Sequence, residues 1–217
     1  MKKLKYVLLG ALISAVVSTS VVIPTLSWLS SLSDEVVNSF EGGEVKIKMD
    51  ESPVDNKGKK TTGNRVKENN YKFVAGSELD KDPTPTVLKG SIPSYIFVSL
   101  ENVNSDVFST NVDESKWLKV CEKDGKTLYA YNKIVDASEA AGDVVLDPLF
   151  TQVKVSEALT SEKVAELKAS DPKQFIKTQT FAIQSEVIDK NVAIRQAVDQ
   201  FGLTGATVTY VNIAAAD

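Results

Sequence analysis

The sequence predicts a mainly β protein, a β-sandwich with a few short helical insertions, preceded by a signal peptide. Three observations carry that expectation. Runs such as 45–49 and 175–184 alternate with the period of two that marks a half-buried strand. Asp124-Gly125 sits between two β-branched and aromatic runs, where glycine supplies the positive φ that a hairpin turn needs. Only two stretches, both late in the chain, have helical spacing.

At the N-terminus, Lys2, Lys3 and Lys5 precede a run from Tyr6 to Ile23 that carries no charge. Pro24 breaks it, and Thr25-Leu26-Ser27 places small residues at −3 and −1 of a cut between Ser27 and Trp28. That is the pattern of a secretory signal peptide. The alternative is an uncleaved anchor, for which the run is short and diluted by Gly10, Ser14, Ser18, Thr19 and Ser20. Cleavage divides the chain into a signal peptide (1–27), an N-terminal segment (28–42) and a single sandwich domain (43–217). It also takes the net charge from −4 to −7.

Along the domain, Val45, Ile47 and Met49 predict a first strand, and the charged, Gly- and Pro-containing stretch 50–70 a long exposed loop. Tyr71, Phe73 and Ala75 alternate again. Lys81–Val87 reads as extended, and Pro83 and Pro85 assign it to an edge or to the start of a strand. Ser94–Leu100 is apolar on both faces for part of its length and belongs in the centre of a sheet. Trp117–Cys121 and Thr127–Tyr131 form the hairpin arms. Alternation puts Cys121, the lone cysteine, on the face of Trp117 and Lys119, and burial is its expected fate. Val144–Leu146 and Phe150–Val155 are further strands. Ser161–Ala169 is helical, Phe175–Gln184 extended, and Asp189–Phe201 a helix ended by Gly202. Thr207–Ile213 is expected to be the last strand.

Four pieces of this chain resemble the TasA/camelysin family of Gram-positive exported proteins, whose signal peptide is removed by the signal peptidase SipW. They are the export signal running into Trp28 and then Ser33–Phe40; Gly43–Glu51; Asn64–Gly76 with Lys81–Val87 and Tyr95–Val98; and Phe181–Glu186. The stretch after Gln184 departs from the commonest family ending. The resemblance implies a jelly-roll-like sandwich and one of two functions. One is a secreted biofilm-matrix protein that polymerises into fibres when the N-terminal strand of one subunit completes the sheet of the next. The other is a camelysin-like cell-surface metallopeptidase. For the first, Trp28, Leu29, Leu32, Val36 and Val37 would belong to the donor strand. A further alternative is a cell-surface binding module that does not polymerise.

Composition weighs against the peptidase. The chain has no histidine, so the usual two-histidine zinc site has no ligands. Its single cysteine excludes an intrachain disulfide and a cysteine-cluster metal site. Carboxylate groupings remain: Asp80 with Asp82, Asp50 with Glu51 and Asp55, and Asp113 with Glu114. None has calcium-loop spacing, and solvated loop charge is the expected role of each. The expectation is therefore a secreted protein with no catalytic residues, no metal and no cofactor. Its partners would be other copies of itself, other extracellular matrix or cell-surface proteins, and the signal peptidase during export. Net acidity excludes a sequence-independent nucleic-acid partner. The ending Asn212–Asp217 has no hydrophobic tail followed by basic residues, so retention at the cell would rest on assembly or a partner.

Overall fold

The computed structural model describes residues 30–32, 44–169 and 176–216. The proposed cleavage site Ser27-Trp28, and Leu29, Val36 and Val37 of the donor segment, lie outside these residues. The described chain is mainly β, in three antiparallel sheets. The strands are β1 (Ser30–Leu32), β2 (Ile47–Asp50), β3 (Glu78–Asp80), β4 (Thr84–Val87), β5 (Ser94–Glu101), β6 (Phe108–Thr110), β7 (Trp117–Lys123), β8 (Lys126–Tyr131), β9 (Val144–Val145), β10 (Gln152–Val155) and β11 (Lys177–Gln184). The two helices are α1 (Ser161–Ala169) and α2 (Lys190–Gln200).

The main sheet runs β1-β11-β5-β8-β7. As its apolar composition requires, β5 is the middle strand, and every residue from Ser94 to Leu100 is buried. β7 and β8 form the hairpin signalled by Asp124-Gly125. Both turn residues have positive φ, 52° and 75°, which suits a tight two-residue connection between right-twisted strands.

One face of this sheet packs on the two three-stranded sheets, β3-β10-β6 and β2-β4-β9. Ile96 and Val98 of β5, Trp117 of β7 and Ala182 of β11 share a core there with Leu79, Val87, Phe108 and Val153. The Trp117 indole N–H donates to the Pro148 carbonyl at 3.1 Å, so its polar atom is satisfied inside the core. The other face carries a second core. Phe97, Leu128, Phe181 and Ile183 meet Ala193, Ile194, Ala197 and Phe201 of α2 and its C-terminal end. α2 is thus a third layer over the main sheet rather than an insertion. It starts where Asp189 caps the Asn191 N–H at 2.8 Å and ends at Gly202, whose φ is 69°.

Several sequence expectations are corrected. β4 is the middle strand of its small sheet, not an edge. Pro85 fits because its carbonyl accepts from the Leu146 N–H at 3.0 Å, and only the return bond is forgone. Cys121 is buried as expected, 3 % exposed, but on the face opposite Trp117. A bulge between Lys119 and Cys121 adds a residue and reverses the alternation beyond it. Thr207–Ile213 is not a strand. Residues 203–216 lie across the β7 side as an irregular strap, where the Thr209 N–H donates to the Val120 carbonyl at 2.8 Å. Tyr71–Ala75 is likewise irregular.

Candidate functional site

Two features of the described residues stand out as surfaces with functional potential: the β11 edge of the main sheet and a large groove beside it. β1 pairs antiparallel with β11, in the register Ser30↔Ile183, Ser31↔Ala182 and Leu32↔Phe181. β5 pairs with all eight residues of β11 on its other side, whereas β1 spans three. Of Trp28, Leu29, Leu32, Val36 and Val37, Leu32 alone is among the described residues, and it sits in an edge strand of its own chain's sheet. At the opposite edge, the bulge in β7, the Lys119–Glu122 ion pair at 2.6 Å and the strap all obstruct strand addition.

The groove has a volume of about 1040 Å³. Lys177, Thr178 and Gln179 of β11 reach it from the main sheet, and Val164 and Leu167 from α1. Phe108 and Val153 contribute from the β3-β10-β6 sheet, and Tyr71 and Phe73 from the irregular excursion 51–77 that links β2 to β3. Phe73 meets Phe108 edge-to-face at a centroid separation of 5.1 Å. The lining mixes apolar side chains such as Phe73, Phe108 and Leu167 with polar and charged ones such as Glu51, Lys72 and Gln179.

The acidic groupings singled out in the sequence are engaged by cations and by backbone. Asp82 accepts from the Ser52 N–H at 2.6 Å, the Ser52 hydroxyl at 2.7 Å and Lys60 Nζ at 3.0 Å. Arg65 binds Asp50 through Nε, and its Nη2 donates to the Asp50 and Asp82 carbonyls, each at 2.9 Å, and to the Thr84 hydroxyl at 2.7 Å. Burial pushes the Asp82 carboxyl up, but Ser52, Lys60 and Arg65 together hold it below the usual carboxylate range. Glu51 is buried against Lys81 at 2.5 Å and accepts from Asn69 at 3.0 Å. Lys81 also lies 5.7 Å from the Tyr71 ring centroid.

The remaining acids serve turns. Asp55 accepts from the Lys57 and Lys59 N–H groups at 2.8 and 2.9 Å. Asp113 accepts from the Ser115 N–H and hydroxyl at 3.0 and 2.6 Å, and Glu114 is exposed. Among the described residues, no group of three or more acidic or cysteine side chains could hold a metal ion. No described helix is long and apolar enough to cross a membrane.

Sequence reading placed Asp50, Glu51, Asp80 and Asp82 as candidates but did not join them to Arg65, which is at least 15 residues from the carboxylates it binds. The concentration of cations in 57–65, Lys57, Lys59, Lys60 and Arg65, close to these acids was the available signal. The groove left none, because strands of all three sheets, α1 and the excursion wall it together. The chain has no significant match among protein-family models, curated proteins or solved structures.

Proposed function

We propose that this chain is a secreted structural protein of the cell surface or biofilm matrix. In this reading the N-terminal segment of one copy completes the main sheet of the next, and fibres result. The observation that supports it is the pairing of Ser30–Leu32 with β11. A far N-terminal segment finishes the edge of a strand near the C-terminus, and the same register is offered by every other copy. Exchange between identical chains replaces like contacts with like, so it costs little enthalpy, and a head-to-tail contact leads to open filaments rather than closed dimers. Cleavage after Ser27 would free this segment during export.

The resemblance to TasA-type matrix proteins, a jelly-roll-like arrangement and an extracellular location belong to the same proposal. So does the absence of a catalytic role. With no imidazole in the chain, a camelysin-like zinc peptidase would lack its usual ligands. The groove favours a second reading, a cell-surface binding module that stays monomeric.

Deletion of residues 28–37 from protein beginning at Trp28 separates the two. Fibre assembly predicts that the intact protein elongates, by gel filtration and electron microscopy, and that the deletion leaves a folded monomer. A monomer in both forms supports the binding module. Fibres from the deleted form overturn strand exchange.

A further inference from the structure

The excursion 51–77 spans 27 residues without helix or strand; its backbone is fixed by isolated bridges such as Glu51↔Val66 and Val54↔Lys60. None of its apolar side chains is fully buried; its buried members are Glu51, Ser52 and Gly58. Tyr71 and Phe73 pack half-buried on the core, and the rest of what holds it is polar. Arg65, from the middle of the excursion, reaches Asp50 at the end of β2 and Asp82 and Thr84 at the start of β4. Lys59 and Lys60 bind Asp80 and Asp82 at 3.2 and 3.0 Å. The same excursion supplies Tyr71 and Phe73 to the groove wall.

We propose that residues 51–77 form a flap on the groove, latched through Arg65 and Asp82 and released by acid. This inference is independent of fibre assembly. Asp82 is the hub, since its two oxygens accept from Ser52, Lys60 and Arg65 at once. The charged and titratable groups around it are Asp50 from the end of β2, Glu51, Lys59, Lys60, Arg65 and Tyr71 from the excursion, and Asp80 and Lys81 from the end of β3. Protonation of the Asp82 carboxyl withdraws the charge that faces Lys60 and Arg65, and the cations then repel one another with less to offset them. The flap's apolar hold on the core rests on the half-buried Tyr71 and Phe73, with no fully buried apolar side chain behind them, so it lifts, and Phe73 leaves Phe108. The main sheet and its two cores do not depend on these contacts and stay folded. The device would widen access to the groove in acid surroundings.

Hydrogen exchange on the full chain tests this, read as protection factors at pH 7 and in steps from pH 4 down to pH 2, because the Asp82 carboxyl is held below its ordinary value. The reporters are the Thr61, Val66 and Asp80 amides, which donate within the flap or to it, against amides of β5 and β11. Arg65→Gln and Asp82→Asn are compared at pH 7, with binding of the apolar dye anilinonaphthalene sulfonate as a second readout. The expected result is a loss of at least about tenfold in flap protection at the acid end of that series and in both variants at pH 7, with β5 and β11 unchanged and dye binding increased. Asp82→Asn should show little further change on acidification. The proposal is overturned if both variants keep the flap protected at pH 7. It is overturned equally if flap, β5 and β11 lose protection together.

Discussion

The α2 layer and the 51–77 excursion are both appended to the sheets, yet opposite forces hold them. α2 buries Ala193, Ile194, Ala197 and Val198 against the main sheet, and Ile194 has no exposed surface. The excursion has no fully buried apolar side chain; it lays the half-buried Tyr71 and Phe73 on the core and is pinned by Arg65, Lys60 and their carboxylates. Apolar burial is indifferent to pH and couples a layer to the whole fold. Charge pairing is local, weakened by salt and lost with protonation. One molecule therefore carries a cooperative back and a separately releasable front.

The sharpest test of that contrast is Phe181→Ala. Phe181 is 2 % exposed and contacts Phe97 and Phe201, so truncation leaves a cavity between sheet and helix. Chemical denaturation should show a loss of about 3–5 kcal/mol in a single transition. A small loss, or a transition in which α2 melts alone, would break the claim that the back layer is part of the global core.

Arg65→Ala comes next. Arg65 is 34 % exposed, so its charge contacts are discounted for solvent, and a loss of about 1–2 kcal/mol is expected. Its larger effect should be tryptic cleavage at Lys57, Lys67 and Lys72 in an otherwise folded protein. The pH dependence has the same origin. The Asp82 carboxyl sits below its ordinary value in the fold, so its stabilising contribution is fully present above about pH 4 and falls away as pH drops through the depressed value. Salt should imitate acid at the excursion and leave α2 untouched; equal salt sensitivity in both regions would erase the contrast.

Asp189→Ala removes the α2 cap and should cost about 1 kcal/mol, seen as a lower melting temperature with no change in the flap. The smallest effect belongs to Lys119→Ala. Its partner Glu122 is 2.6 Å away, but both side chains are about half exposed. The pair contributes less than about 1 kcal/mol, and a double-mutant cycle with Glu122→Ala measures it directly.

Legibility in the sequence follows the same division. The hairpin turn was readable because positive φ at Asp124 and Gly125 is a property of two residues. α1 matched its expected bounds, and α2 fell within its own, because caps and spacing act over three or four residues. β11 and the central position of β5 followed from their own alternation and burial. The site was less legible. The carboxylates at 50, 51, 80 and 82 were singled out, but as solvated charge, because nothing near Asp82 in sequence announces that Arg65 and Lys60 will reach it. A strand of three residues such as β3 or β6 carries too few side chains for a periodic signal.

The sequence by itself determined the hairpin turn, where the chain is helical, the extended runs of β2, β5, β7, β8 and β11, and that no histidine is available for chemistry. Those features depend on backbone preferences and on neighbours within one turn or one hairpin. Tertiary structure alone decided the rest. It made β4 a middle strand despite Pro85, turned Cys121 to the face of α2 through one extra residue in β7, and set Leu32 beside Phe181 at the sheet edge. It also gathered Arg65 and its acids into a latch. The physical reason is that an edge, a face or an ion pair is defined by its partner. Here the partners lie 15 to more than 100 residues away, beyond the reach of any local pattern.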